Sequence, residues 1–273
     1  PLATQQSGRA VAFLTRSQIF IGLTLTFNLT IAHAGLENQP STKAFITEMA
    51  HKHHFNKGKL QRIFNQVDIQ PAILQRIAKP AEAKPWHSYR KIFITAARIQ
   101  NGGMFWREHA TVLNLVQDRY GVPPEIIVGI LGVETGYGQN TGGFRVIEAL
   151  STLAFAYPKR AEFFRKELEE FLLLCREEGT DPLEPKGSYA GAMGLPQFMP
   201  SSFRRFAADF DGDSHRDIWH NADDAIASVA NYFTVHGWHP GEPVAMPTTI
   251  QGEGYQQLLD SNLKPRHSLT QLS

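Results

Sequence analysis

From about Ser41 onward, apolar residues recur at the three- and four-residue spacing of helices packed on one face. Phe45 and Met49 mark one such segment, Leu60, Ile63 and Phe64 a second, and Ile73, Leu74 and Ile77 a third that stops before Pro80. Residues 79–85 (KPAEAKP) read as a proline-bounded link, because proline cannot continue a helix and restricts the residue before it. Ile92, Phe93, Ala96 and Ile99 predict another helix, which Asn101-Gly102-Gly103 is expected to break. Residues 105–120 then read as one long helical segment closed by Gly121, and Pro123-Pro124 opens an apolar helix over 125 to about 134. The clearest amphipathic helix is 158–178, with Phe163, Phe164, Leu168, Phe171, Leu172 and Cys175 on one face; another spans 222–236. No strand alternation, repeat or heptad precedes about residue 243. The expectation is a mainly α chain, with N-terminal helices over about 41–120, a core over 121–242, and an irregular segment over 243–273 with a frayed end.

The first 34 residues follow a different logic. Arg9 and Arg16 precede an apolar run over 19–31, softened by Thr24, Thr26, Asn28 and Thr30, and Ala32-His33-Ala34 follows. This order of basic, apolar and small residues reads as a secretory signal peptide. The run is short and threonine-rich for a membrane span, which takes about 20 apolar residues. The mature chain is expected to begin near Gly35, exported to the periplasm, with no cysteine near the cleavage site to carry a lipid anchor and no stable membrane span.

Composition narrows the function classes. The 273 residues are 42% hydrophobic and 19% charged, which suits one or two folded domains rather than a disordered chain. With 27 Lys+Arg against 26 Asp+Glu, the net charge of +1 gives no electrostatic footprint for nucleic acid. The single cysteine excludes an intramolecular disulfide and any multi-cysteine zinc site. Eighteen phenylalanines make aromatic packing the expected basis of the core.

Three stretches carry candidate chemistry. Glu134 closes the run 126–133 (IIVGILGV), where apolar neighbours make an ionised carboxyl costly and suit it to general-acid work. Glycines at 136, 138, 142 and 143 follow, with Tyr137 among them as an aromatic surface. The bland reading, an exposed helix end capped by glycines, is weakened a little because the negative end of the helix dipole disfavours an acid there. The second stretch, 186–203 (KGSYAGAMGLPQFMPSSF), sets Ser188, Tyr189 and Gln197 among small and apolar residues. That mixture suits a neutral, hydroxyl-rich ligand as well as it suits a packed connecting loop. The third, 209–215 (DFDGDSH), alternates acids between two helices like the start of an EF-hand calcium loop. Position six is Ser214 rather than Gly and position twelve is His220 rather than Glu, so Asp223 or Asp224 is the candidate closing carboxylate. Asp209, Asp211, Asp213, His215, Asp223 and Asp224 form the metal-ligand set, for a calcium ion expected to be structural.

At these stretches the sequence resembles the membrane-bound lytic murein transglycosylase B family of bacterial cell-wall enzymes. The resemblance is carried by 129–138 (GILGVETGYG), 149–161 (ALSTLAFAYPKRA), 186–203, 209–233 ending in DDAIASVANYF, and 86–90 (WHSYR), together spanning about residues 40–245. It implies a lysozyme-like α domain with additional helices and an EF-hand-like loop, acting on peptidoglycan glycan strands. It implies cleavage of the β-1,4 bond from N-acetylmuramic acid to N-acetylglucosamine, leaving a 1,6-anhydro end. Glu134 falls on the family's acid/base position. Ser188, Gln197, Tyr232 and Tyr89 fall on substrate positions, and Lys159-Arg160 on a basic pair in the cleft. The calcium loop falls on Asp209, Asp211, Asp213 and a closing Asp. Family members usually continue well past residue 273 with further cleft residues. Other cell-wall enzymes are candidate partners.

Ordinary glycosidases need two carboxylates about 5–10 Å apart. After Glu134 the next acid is Glu148, and the Asp cluster looks committed to metal. This fits one carboxyl acting as acid and then base, with Tyr137, Tyr189 and Phe198 expected to stack on sugar faces. The alternatives are a hydrolytic muramidase of goose-lysozyme type and a non-catalytic, calcium-dependent peptidoglycan-binding protein.

Overall fold

Helices carry nearly all the packed positions of the computed structural model, which describes residues 36–78, 85–245, 247, 249–258 and 266–272. They are α1 (Pro40–His53), α2 (Lys57–Phe64), α3 (Pro71–Ile77), α4 (Trp86–Phe93), α5 (Ala96–Glu108), α6 (Ala110–Tyr120), α7 (Pro124–Thr135), α8 (Val146–Ala156), α9 (Ala161–Glu177), α10 (Pro200–Phe206), α11 (Ala222–Val235) and α12 (Leu269–Leu272). Two short strands, β1 (Phe144–Arg145) and β2 (Lys186–Gly187), pair antiparallel with Phe144 opposite Gly187. The predicted signal peptide and most of the proline-bounded link lie outside the described residues.

Most helices form where the apolar spacing places them, but the expected helix through Ile92, Phe93, Ala96 and Ile99 is divided at Ile94 and Thr95, where α4 ends and the Thr95 cap starts α5, and prolines start several of the others. Pro40, Pro71, Pro124 and Pro200 sit in first turns, where a missing N–H costs nothing. Asn56, Thr95 and Asn221 accept backbone N–H groups at the starts of α2, α5 and α11. Two expectations fail in the same place. Gly102 and Gly103 lie inside α5 rather than ending it, and the predicted 105–120 segment is interrupted at His109, where α5 gives way to α6. Gly102 stays in the helix because its bare face receives a neighbouring tyrosine, described below.

The buried side chains form two clusters. The first gathers α1, α2, α3, α8 and α9 around Phe45, Phe64, Phe164 and Phe171, and includes Met193, Phe198, Phe203 and Ile218. Helix α8 is its axis, with every residue from Val146 to Ala154 buried; Thr152 there is satisfied by accepting the Gln70 amide at 2.9 Å. The second cluster joins α5, α6, α7 and α11 through Leu113, Val116, Ile127, Leu131 and Ile226, and takes Leu195 from the connecting segment. Residues 193–198 therefore belong to both cores, and the glycine-rich stretch crosses the seam between them. Beyond residue 243 the described chain is exposed, as its polarity predicts.

Candidate active site

Helix α7 buries Ile127, Leu131 and Thr135 and ends on Glu134 at its rim. The chain reverses there through two backbone bonds, Gly136 N to Gly132 O (3.2 Å) and Tyr137 N to Leu131 O (3.1 Å). Glu134 keeps an open face, yet the protein around it withdraws enough water to push its carboxyl pKa above the ordinary glutamate value. The next residue anchors the site. The Thr135 hydroxyl donates to the Leu195 carbonyl at 3.0 Å and accepts the Gly138 amide at 3.0 Å, tying the end of α7 to the 193–198 turn.

That turn is built from two successive reversals. Ser188 N donates to Ala192 O at 2.8 Å, and Met193 and Phe198 exchange both backbone bonds at 2.8 and 3.0 Å. The Ser188 hydroxyl oxygen accepts the amides of Ala190 and Ala192 at 3.2 and 3.0 Å, so it holds the first reversal while its own proton stays available. Gln197 has a left-handed backbone (φ 52°), and its side-chain amide donates to Thr141 O at 3.2 Å and Gly194 O at 2.9 Å. Its amide oxygen takes no hydrogen bond from the described residues, which leaves an acceptor at the site.

The structure thus brings Glu134, Ser188 and Gln197 onto connected segments, and Tyr232 of α11 joins through its ring contact with Phe198 at 5.7 Å. Tyr232 is itself stacked on His236 at 4.0 Å. Tyr189 is half-buried against the first cluster. Two expected sugar platforms are different in kind. Phe198 is buried in the first core. Tyr137 is a wedge between helices, its ring stacked on Phe105 at 5.4 Å. A Cβ on Gly102 or on Gly132 would lie 2.4 or 2.5 Å from its hydroxyl, so both glycines leave the slot it fills, and burial raises its phenol pKa. Gly102, read from sequence as a breaker, is a packing residue of the site's frame. Tyr89 finds its ring partners on its own helix, Trp86 and Phe93. Lys159 and Arg160 are exposed between α8 and α9, with the Arg160 guanidinium over Phe163 at 4.4 Å. Glu148 is buried and ion-paired with Arg145, so it supplies no free second carboxylate.

The acidic loop runs between α10 and α11. One carboxylate oxygen from each of Asp209, Asp211 and Asp213 lies within 4.8 Å of the others. Each acid also accepts a backbone amide ahead of it, Gly212 for Asp209, Asp213 for Asp211 and His215 for Asp213, which curls the loop. The remaining predicted ligands are placed otherwise. Asp224 is fully buried, its two oxygens accepting the amides of Phe210 (2.8 Å) and Asp217 (2.9 Å), and burial raises its pKa. Asp223 faces His109 at 3.9 Å, and the His215 side chain lies on the exposed surface. Three hard oxygen donors at this separation fit a calcium ion; a full EF-hand closed by a twelfth-position carboxylate is not what the loop presents.

A helical frame in which an apolar helix carries a partly desolvated carboxyl near its end, tied to a turn of hydroxyl and amide groups, defines an enzyme of lysozyme-like fold. The transglycosylase SLT domain matches residues 37–273, and the chain belongs to this family of lytic transglycosylases. Over 246 residues it is 46% identical to membrane-bound lytic murein transglycosylase B of Escherichia coli (strain K12), covering 86% of this chain and 67% of that protein. The crystal structure of soluble lytic transglycosylase SltB1 from Pseudomonas aeruginosa superposes with a TM-score of 0.83 at 52% identity, over 85% of this chain and 79% of that one. The Escherichia coli lytic transglycosylase Slt35, solved in complex with calcium, gives a TM-score of 0.72 at 49% identity, over 76% and 66% of the two chains.

Proposed function

We propose that this chain cleaves the β-1,4 bond from N-acetylmuramic acid to N-acetylglucosamine in murein and leaves a 1,6-anhydro end, with Glu134 as the one acid and base. The observation that supports the reading is the place of Glu134 in the last turn of α7, where burial raises its carboxyl pKa, while the next acid along the chain, Glu148, is ion-paired with Arg145. Glu134 gives its proton to the glycosidic oxygen, and the C1–O bond breaks with its electron pair going to that oxygen. The substrate's own N-acetyl carbonyl oxygen bonds to C1 in place of a protein nucleophile. The Glu134 carboxylate then takes the proton of the muramic O6, which bonds to C1 and releases the carbonyl. No water is consumed, and Glu134 ends protonated for the next turnover. Mass spectrometry of the released muropeptides tests this: anhydro ends are expected, and reducing ends would transfer the chain to the hydrolytic, goose-lysozyme class. A murein substrate places the working enzyme in the periplasm; no helix among the described residues is long and apolar enough to cross a membrane.

Ser188 and Gln197 bind the substrate in this reading. The Ser188 hydroxyl proton and the Gln197 amide oxygen meet the N-acetyl group and sugar hydroxyls. One neutral hydrogen bond contributes about 0.5–1.5 kcal/mol, so Ser188→Ala is expected to lower turnover about tenfold. It also melts earlier, because two backbone amides lose their acceptor. A variant that melts earlier with full specific activity would leave Ser188 a purely structural residue.

Asp209, Asp211 and Asp213 would hold calcium, supported by their convergence and by the calcium-bound relative. The ion would neutralise three crowded carboxylates and brace the loop leading into α11. Calcium at about a hundred times its Kd adds about 2.7 kcal/mol to a fold that alone binds it, or about 5–10 °C in Tm for a chain of this size. Asp211→Ala with Asp213→Ala is expected to abolish that rise in a thermal melt, and a wild-type Tm indifferent to calcium would remove the site.

A further inference from the structure

A cavity of about 630 Å³ borders the loop that follows α7, and Glu134 is not part of its wall. Gly138, Thr141 and Gly142 form its near side. Thr141 is shared, because its carbonyl accepts the Gln197 amide. Thr141 thus links the wall of this cavity to Gln197.

The far walls are the end of α9 with the link into β2, and the stretch that runs from the acidic loop into α11. Leu174, Pro185 and Trp219 supply apolar surface, with the Trp219 indole fixed by its bond to the Lys186 carbonyl at 2.9 Å. Among the wall charges, Arg216 and Glu178 neutralise each other, the guanidinium Nε donating to Glu178 at 2.8 Å. Asp217 accepts the amides of Trp219 and His220 on one oxygen and pairs through the other with the His220 ring Nδ1 at 3.2 Å. Glu184 and Lys186 are different: both are exposed at the rim and neither has an ion-pair partner among the described residues. Thr180 adds a hydroxyl beside them.

An anion alone would meet Glu184, and a cation alone would meet Lys186. The unspent charges favour a ligand that carries both signs on a short chain, with enough apolar surface to cover Trp219. A short peptide with free carboxyl groups and a side-chain amine has this chemistry, and murein strands carry such peptides on the sugar whose bond is cut: the N-terminus is amide-linked to the sugar, and a diamino residue within the peptide keeps a free amine. We propose that this cavity is a subsite for the peptide branch of the strand, so that a glycan seated at Glu134 sends its peptide across the 138–142 loop onto Trp219, between Glu184 and Lys186. The assignment rests on the murein-cleaving reading above and extends it to the substrate's second component.

The double variant Glu184→Gln with Lys186→Gln tests it, since neither side chain packs in a core. Cleavage is compared on intact murein strands and on the same strands stripped of peptide by an amidase, and the free tetrapeptide from that digest is titrated calorimetrically into wild type and variant. Loss of two exposed charge pairs corresponds to about a tenfold rise in KM on peptide-bearing strands. Peptide-free strands are expected to be cleaved within about twofold of wild type, and tetrapeptide binding to weaken about tenfold, by the same pairs. Equal cleavage of both strand types by wild type overturns the subsite, as does a double variant that loses activity equally on both. If wild type cleaves neither strand, the murein reading falls, and the titration decides the cavity by itself: heat of binding that the double variant abolishes supports it, and no binding to wild type overturns it.

Discussion

Glu134→Gln is expected to lose at least about 10²–10⁴-fold in turnover on murein while keeping the fold, since the amide neither donates nor recovers the proton that each half of the reaction needs. Its pH behaviour is as diagnostic as the loss. Burial raises the carboxyl pKa, so the folded state binds this proton more tightly than the unfolded chain does. Ionising Glu134 therefore costs stability as pH rises from the ordinary glutamate value through the raised one. The amide carries no such cost: its Tm should match or exceed wild type at neutral pH, and the difference should close in acid. In the wild type, activity should fall on the alkaline side as the acid form is titrated away. A folded Glu134→Gln variant that still releases anhydro products at a near-normal rate would remove Glu134 from the chemistry. One that melts well below wild type at neutral pH would contradict the desolvation argument.

The second large effect is on folding. Gly142 adopts φ 97°, and a Cβ placed there would lie 2.0 Å from the Gly187 carbonyl oxygen and 2.5 Å from the Ser188 amide nitrogen. Both are backbone atoms of the segment that leaves β2, so no rotamer change relieves the overlap. Gly142→Ala must part the 138–142 loop from β2 and accept an unfavourable backbone conformation. A cost of about 3 kcal/mol or more is expected, and with it a Tm lower by about 6–12 °C. Gly143→Ala is the control, since a Cβ there meets nothing within 4 Å. Equal melting temperatures for the two variants would refute the crossing.

The sequence made the helices legible because their apolar spacing is set by the face each buries: α9 emerges within three residues of its predicted span and α11 within one. Glu134 stands out in the sequence for a related reason, as the acid at the end of an apolar run, and the structure sets it in the last turn of α7 with a raised carboxyl pKa. What misled was local chemistry with a distant partner. Gly102-Gly103 carries the signature of a helix break, but the need it serves is set by Tyr137, 35 residues on, whose hydroxyl occupies the space above Gly102. Tyr137 draws notice in the sequence because it sits in a glycine-rich loop, but the glycines that shape its slot are Gly102 and Gly132, outside that loop. Asp224 carries contacts that spacing does not show: its two oxygens accept the amides of Phe210 and Asp217. Gln197 and Thr141 are joined across 56 residues by a bond that no spacing rule encodes.

The seam between the two cores has a consequence for how the enzyme handles heat and motion. Glu134 is carried by a helix of the second cluster, whereas Tyr189 and the ring beside Tyr232 are packed into the first. In the proposed reaction, the gap between the proton donor and the groups proposed to hold the sugar is thus governed by how two separately packed bodies lean on residues 193–198, with the Thr135–Leu195 bond as a rivet. A few tenths of an ångström of slip along that line would detune proton transfer while leaving both bodies intact, so catalysis should fade on warming before the helices melt.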